Sequence, residues 1–298
     1  MIKRSPLFYV GDKYKLLPQL LKVFPANINN FYEPFIGGGS VFLNIKARKY
    51  KLNDVDENLI NIHRMLMSFS SNKEDFFSKV SSLINKYNLS RSYIEDVVPL
   101  ALKKEFKKTY FARFNRSGYQ NLRSHLNKSD VKDPLILYVL LIYGFNRMLR
   151  FNSQGDFNIP VGNVDFNKNV YAALVNYFDV VSKKNINFSN NDFVKFINEI
   201  KFVANDFVYV DPPYLITATE YNKIWDNSKE EALLNMLTKL NNKNVKFALS
   251  NVIEYQGRKN SLLHKWMSSF NVTKIQSNYI NYHHNGQKLI KEILVTNY

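Results

Sequence analysis

The apolar positions of this chain change period several times, and each change predicts an element. Residues 207–210, Phe-Val-Tyr-Val, are an unbroken apolar run, the pattern of a strand covered on both faces in the middle of a sheet. Further strands are expected within 31–36, at the start of 50–60 ending on Asp54, at 186–188, at 245–250 and at 292–297. A helix starts near Glu57, and another lies in NSKEEALLNMLTKLNN, opened by a capping box of Ser228 with Glu231. Asp133 and Pro134 open the most apolar stretch, LILYVLLIYGF at 135–145. It is too short to cross a bilayer and reads as a buried helix continuing to Leu149.

Spacing then fixes the organisation. About 170 positions separate Gly39 from Asp211, whereas a doubly wound sheet at about thirty residues per βα unit would reach its fourth strand in half that distance. An insert is therefore expected. Residues 60–170 read largely helical, with the polar turn NSQGD at 152–156 suited to a hairpin tip. The division predicted is an α/β domain made of residues 1–59 and 171–298, interrupted by a mainly helical insert at 60–170.

Chemistry enters where the 207–210 strand stops. Asp211 is followed by Pro212, Pro213 and Tyr214. The prolines fix φ, remove two backbone donors and keep the chain extended beside the acid. Ligands of open α/β sheets bind beyond the carboxyl ends of strands. An amine conjugated to an aromatic ring is a poor nucleophile, because its lone pair is delocalised. The Asp211 carboxylate and the Pro212 carbonyl are two acceptors able to draw its hydrogens from the ring plane, while Tyr214 offers a stacking face. Such a site needs a methyl donor. FYEPFIGGGSVFLN at 31–44 reads as strand, glycine-rich turn and helix start, with Gly37, Gly38 and Gly39 allowing close backbone approach and Ser40 placed to cap the helix. Asp54 follows Glu33 by about twenty positions, the spacing of an acid that holds ribose hydroxyls. Neither a dinucleotide fingerprint nor a GK[ST] phosphate loop is present, so an adenosyl group without phosphates fits better.

The charge balance adds a partner class. With 41 basic and 25 acidic residues the net charge is +16, which favours polyanions. Within 101–128, Lys103, Lys104, Lys107, Lys108, Arg113, Arg116, Arg123 and Lys128 face one acid, Glu105, with aromatics interleaved, as on a phosphate-tracking surface. There is no cysteine, so thiolate metal sites and disulfides are excluded, in keeping with a reducing cytoplasm. His283 and His284 belong to no metal-binding pattern, and no metal is expected. The start, MIKRSPLFYV, has too short an apolar stretch for a signal peptide.

Six blocks in order, YVGDKYKLLPQL, EPFIGGGSVFLN, NDVDENLI, DPLILYVLLIYGFNRMLRFNSQGDFNIPVG, DFVYVDPPYLITATEYNKIW and KFALSNVIEYQGRKNSLLHKW, resemble the Dam-type DNA adenine-N6 methyltransferases, especially those of T-even-like bacteriophages. The resemblance implies a Rossmann-like S-adenosylmethionine-dependent methyltransferase sheet with an inserted target-recognition domain carrying a β-hairpin. It implies transfer of a methyl group from S-adenosyl-L-methionine to a flipped adenine in double-stranded DNA, usually in GATC, in the cytoplasm of a bacterial or phage-infected cell. It further implies a monomer or weak dimer, with a companion restriction nuclease left open.

By position, Tyr9, Lys13, Phe35, Gly37, Gly39, Asp54, Asp192, Phe193 and Asp211 match the cofactor set, with Lys13 toward the methionine carboxylate and Asp192 with Phe193 beside the adenine. Asp211, Pro212, Pro213 and Tyr214 match the catalytic motif. In the hairpin segment, Phe145 and Asn146 would open the duplex, Arg150 would read guanine, Met148 and Pro160 would touch thymine methyls, and Asn152 belongs to the same DNA-facing set, as do Arg113 and Arg116 from the basic stretch. Two departures from the pattern stand out: Phe8 replaces a lysine of the cellular enzymes, and Asn163 and Val164 follow Gly162 where a phosphate-binding arginine is expected. Asp192 could also cap the helix DFVKFINEI, and Arg150 could pair with Asp156. Rival functions are an N4-cytosine methyltransferase, an inactive DNA-binding relative and, more remotely, a protein-glutamine methyltransferase.

Overall fold

A computed structural model of the chain describes residues 2–217, 225–276 and 290–298. The sheet is built around the apolar run: β4 (Phe207–Val210) is buried at every position. With β1 (Asn30–Glu33), β2 (Lys49–Asn53), β3 (Ile186–Ser189), β5 (Lys246–Tyr255), β7 (Asn271–Ile275) and β8 (Ile290–Thr296), it forms a sheet of order β3-β2-β1-β4-β5-β8-β7. A short strand β6 (Arg258–Lys259) pairs with β5. The first five strands in that order are parallel, with Phe31 opposite Phe207 and Tyr209 opposite Ala248. β8 runs antiparallel to β5, with Glu292 opposite Val252. The carboxyl ends of β1, β2, β4 and β5 and the amino end of β8 therefore share one edge. The order reverses between β1 and β4, the switch point at which α/β sheets bind ligands.

Two compact units divide the chain. The sheet lies in the unit made of 15–36, 45–55 and 185–298. That unit also holds α1 (Leu17–Val23), α8 (Phe193–Asn198), α9 (Asn227–Asn242) and α10 (Ser261–Trp266). Its core packs Val208, Val210, Leu233, Leu237, Phe247 and Val295, all inaccessible to solvent. The second unit comprises 1–14, 37–44 and 56–184. It is helical: α2 (Glu57–Ser68), α3 (Lys73–Lys86), α4 (Leu100–Glu105), α5 (Tyr110–Lys128), α6 (Pro134–Tyr143) and α7 (Lys168–Val181). Compared with the sequence-based division, the amino terminus, the glycine-rich turn and α7 fall with the helices.

Three local expectations are corrected. Helix α6 stops at Tyr143 instead of continuing to Leu149, because Gly144 turns to an extended conformation and its backbone begins the hairpin. Its start is as expected, with Asp133 accepting from the amides of Leu135 and Ile136 and proline in the first turn. Helix α9 begins earlier than the Ser228–Glu231 box would place it: its cap is Asp226, whose carboxylate accepts from Lys229 N. The glycine-rich turn leads into one 3-10 turn, Phe42–Asn44, not a long helix. Ser40 is buried there with its hydroxyl unpaired, and caps nothing.

Candidate active site and nucleic-acid interface

In the sheet unit, the strand ends are tied by a residue the sequence did not single out. Asn53, fully buried, donates to the carbonyls of Pro34 (3.0 Å) and Asn191 (2.9 Å). Its own oxygen accepts from Asn191 N and Ser189 Oγ, each at 3.0 Å. All four capacities of the amide are used, so the ends of β1, β2 and β3 are held in one arrangement. Asp54 follows directly, half-buried, with its carbonyl accepting from the Asn190 side chain. Asp192 does cap α8, accepting from Val194 N at 2.8 Å, a role compatible with a ligand beside it.

Phe35 and Phe193, expected in the same set, meet with ring centroids 5.2 Å apart. A third ring completes the group: Trp225 lies 5.6 Å from Phe35 and 5.5 Å from Phe193. Its indole N–H donates to Glu230 Oε2 at 2.7 Å. Glu230, wholly buried in α9, also accepts from Asn260 (2.7 Å) and Asn251 (3.2 Å) on its other oxygen. A buried carboxylate persists when such donors surround it. The consequence is an indole held edge-on to Phe35 and tilted against Phe193.

At the end of β4, Asp211 is half-buried and Pro212 buried. The Tyr214 hydroxyl donates to Asp211 Oδ1 at 2.9 Å and lies 3.3 Å from Oε1 of Glu292. Glu33 and Glu292, 2 % and 3 % exposed, add two more carboxylates to this unit. Burial and the charges of Asp211, Glu33 and Glu292 push the Tyr209 phenol far above its ordinary range, so it stays protonated beside Ser250 Oγ. Glu292 was missed by sequence reasoning, because nothing local distinguishes an acid at the start of an apolar strand from a solvent-facing one.

In the helical unit, the glycine-rich turn is clamped from two sides. The Ser5 hydroxyl donates to Gly38 O, and His63 Nε2 donates to Gly37 O at 2.9 Å. Burial lowers the His63 pKa from 6.5 to about 4, so the ring is neutral at physiological pH and Nε2 carries its proton. Gly39 has φ +74°, and a Cβ there would sit 2.6 Å from the Phe42 ring and 3.0 Å from His63. Tyr9 packs on Gly38, where a Cβ would meet its own at 2.8 Å. Lys13 is buried, with Nζ donating to Gly11 O at 3.2 Å.

The same unit contains the hairpin, whose two strands alternate. Leu149, Phe157 and Ile159 point inward, while Met148, Arg150, Asn158 and Pro160 are partly or fully exposed. Asn152 closes the tip by accepting from the amides of Gln154 and Asp156, with Gly155 at φ +80°. Its side-chain oxygen therefore serves the turn. Arg150 pairs not with Asp156 but with Asn158: Nε donates to Oδ1 at 2.8 Å and Nη2 to the backbone oxygen at 3.3 Å. At the base, Phe145 is 52 % exposed, and Asn146 and Arg147 both take left-handed φ, +53° and +50°. Two consecutive residues there store strain at a tight, outward-directed corner. The guanidinium groups of Arg147 and Arg4 stand 4.2 and 4.4 Å from the Phe8 ring, so Phe8 holds cations where the resemblance expected one in its own place. Asn163 has a structural role: its Oδ1 accepts from the amides of Phe111 and Ala112 and its Nδ2 donates to Lys108 O, capping α5. Arg113 and Arg116 are exposed on that helix.

No helix among the described residues is long and apolar enough to cross a membrane, and no group of three or more His, Cys, Asp or Glu there could hold a metal ion. His283 and His284 lie outside the described residues.

The mixed α/β sheet carries an acid, two prolines and a tyrosine at the end of its central strand, and the same chain holds a glycine turn and a helical unit. The sequence profile of the D12 class N6 adenine-specific DNA methyltransferases matches residues 9–280, and the chain belongs to that family. It is 35% identical to the modification methylase StsI of Streptococcus sanguinis over 99% of this chain and 43% of that protein. To the type II methyltransferase M.FokI of Planomicrobium okeanokoites it is 34% identical, again over 99% of this chain and 43% of the other. A DNA adenine methylase of Haemophilus influenzae is 28% identical over 74% of this chain and 68% of that protein. The chain thus spans under half the length of the first two relatives.

Proposed function

We propose that this chain transfers a methyl group from S-adenosyl-L-methionine to the N6 amine of adenine in duplex DNA. The observation that carries the reading is the end of β4, where Asp211 is held half-buried by the Tyr214 hydroxyl. Asp211 and the Pro212 carbonyl accept the two amine hydrogens and turn the nitrogen lone pair toward the donor. Tyr214 stacks on the extruded base, and placement accounts for most of the rate. When bound, the donor supplies an electrophilic methyl group: the S–CH3 bond breaks as N–CH3 forms, leaving S-adenosyl-L-homocysteine, and the amine gives up one proton on the Asp211 side. The residues present suit the donor: Asp54 is an acid for ribose hydroxyls, Phe35, Phe193 and Trp225 give an apolar floor for an adenine, and at Gly37 an added Cβ would meet nothing nearer than 3.9 Å, which leaves room for a ligand beside the turn. Tyr9 and Lys13 complete that set, with the ammonium toward the methionine carboxylate.

Residues 60–170 are proposed as the DNA-reading insert. Arg150, positioned by Asn158, reads a guanine; Phe145 and Asn146 open the base step; Met148 and Pro160 touch thymine methyls. GATC is the proposed target, in line with the Dam-type resemblance.

Expression in a host free of DNA methylation, followed by nucleoside mass spectrometry and mapping of modified positions, tests this. N6-methyladenine confined to GATC is the expected result. N4-methylcytosine would overturn the substrate, and N6-methyladenine in another sequence would overturn the target alone.

A further inference from the structure

Helix α5 and the second strand of the hairpin are locked together along one seam. Tyr119, Arg123 and Asn127, four residues apart, lie on one face of the helix. The Tyr119 hydroxyl and Arg123 Nη1 both donate to Ile159 O, at 3.1 and 3.2 Å. The Asn127 amide donates to Phe157 O at 3.0 Å and accepts from Phe157 N at 2.9 Å. At the helix start, Asn163 ties the chain just past the hairpin to the first amides of α5. Hairpin and helix therefore move as one body.

Beside this seam lies a cleft of about 490 Å³ whose walls include Arg113, Arg116, Gln120 and Arg123 from the helix and Pro160 and Val161 from the hairpin. No acid is among the residues that line it. Arg113 rests over the Phe106 ring, 4.7 Å from its centroid, and Arg116 makes no hydrogen bond or ion pair among the described residues. Three guanidinium groups around one concavity repel each other and attract an anion. Arg113 has only that ring contact and Arg116 no polar partner among the described residues, whereas Arg123 is engaged with the hairpin. The cleft also opens beside Pro160, the exposed hairpin position next to the clamped Ile159.

We propose that this cleft seats the sugar-phosphate backbone of the bound duplex. Arg113 and Arg116 neutralise phosphates, and Arg123, shared between the cleft and Ile159 O, passes the position of the backbone on to the hairpin. A phosphate grip that carries no sequence information thereby sets the register of the residues that read bases. The inference rests on the duplex-DNA reading above and adds to it a location and a division of labour.

The test is fluorescence anisotropy over a salt series, with a short GATC-containing duplex and a second duplex of the same bases permuted. Replacing both arginines (Arg113→Gln with Arg116→Gln) is expected to weaken both duplexes by the same factor. It should also make the slope of log K against log salt shallower by about 0.9 for each phosphate no longer neutralised. Lysine at both positions should restore the slope. Circular dichroism confirms that the glutamine variant is folded, and since both residues are exposed it should be. If the unaltered chain binds with a steep slope that survives the double substitution, the proposal is overturned while the DNA reading stands. Selective weakening of the GATC duplex alone would also overturn it, assigning base recognition to these arginines. If the unaltered chain binds neither duplex at any salt, the DNA reading falls and the cleft with it.

Discussion

The end of β4 and the hairpin solve opposite problems. In the sheet unit, ties come from buried or half-buried side chains: Asn53 at the end of β2 with all its capacities used, Glu230 with three donors, Tyr214 on Asp211. The hairpin has two isolated bridges, Gly144 with Val161 and Phe151 with Phe157, and borrows its rigidity from side chains of α5. Fixed dipoles suit chemistry, where reorganisation raises the barrier. A short ribbon braced from behind suits reading, because its front is left to the ligand.

The largest effect expected follows from that contrast. Asp211→Ala should lower single-turnover methyl transfer by about 10²- to 10³-fold, the cost of removing one preorganised charged partner, with duplex affinity little changed. Arg150→Ala should do the reverse, weakening the cognate duplex by about 1 to 3 kcal/mol and relaxing one base pair. Equal weakening of all duplexes would make Arg150 a phosphate anchor instead.

Stability separates the units next. Glu230→Ala orphans the buried N–H groups of Trp225, Asn251 and Asn260, at about 1 to 3 kcal/mol for each group left unsatisfied. Urea titration should show the sheet unit weakened by at least about 3 kcal/mol, with Trp225 fluorescence reporting a loosened ring. An unchanged midpoint would mean that the buried carboxylate contributes nothing net.

His63 gives the helical unit a pH signature. Its folded pKa, about 4, lies below the unfolded 6.5, so the unfolded chain binds more protons between those values. The stability contributed by neutral His63 is complete above pH 6.5, falls as pH drops through this window and is gone below about pH 4. The amount is on the order of 3 kcal/mol. His63→Gln retains a donor for Gly37 O and should flatten that part of the stability profile. A profile identical to that of the unaltered protein would place the pH dependence elsewhere.

The smallest effect concerns the brace. Asn127→Ala removes both hydrogen bonds to Phe157 and should cost about 1 to 2 kcal/mol. It should also erode discrimination between duplexes while leaving methyl transfer on a saturating cognate site near its normal rate. A slower rate with discrimination intact would uncouple the hairpin from α5.

What the sequence reveals follows the same division. The β4 strand, its terminal acid, the glycine turn and the NSQGD tip are contiguous, and each obeys a rule that acts over a few residues: unbroken burial, fixed φ at proline, positive φ at glycine. Asn53, His63, Glu230 and Glu292 escape notice because their partners are distant in the chain, and a buried asparagine or glutamate looks like any other until its donors and acceptors are assembled. Arg150 finds its partner in Asn158 and not in Asp156, since cross-strand register decides neighbours and the hairpin pairs Arg150 with Asn158. The overrun of α6 has a similar cause. Apolar residues recur past Gly144 up to the buried Leu149, but Leu149 is buried from the hairpin and not from the helix.

The claim on which the rest depends is that the acid and the proline carbonyl beyond β4 grip an exocyclic amine. A crystal structure with a non-transferable donor analogue and a target duplex measures it directly. The predicted result is an adenine amine within about 2.7 to 3.2 Å of both the Asp211 carboxylate and the Pro212 oxygen, with the Tyr214 ring stacked on the base. An amine reached by neither oxygen, with Asp211 still turned to the Tyr214 hydroxyl, would contradict it.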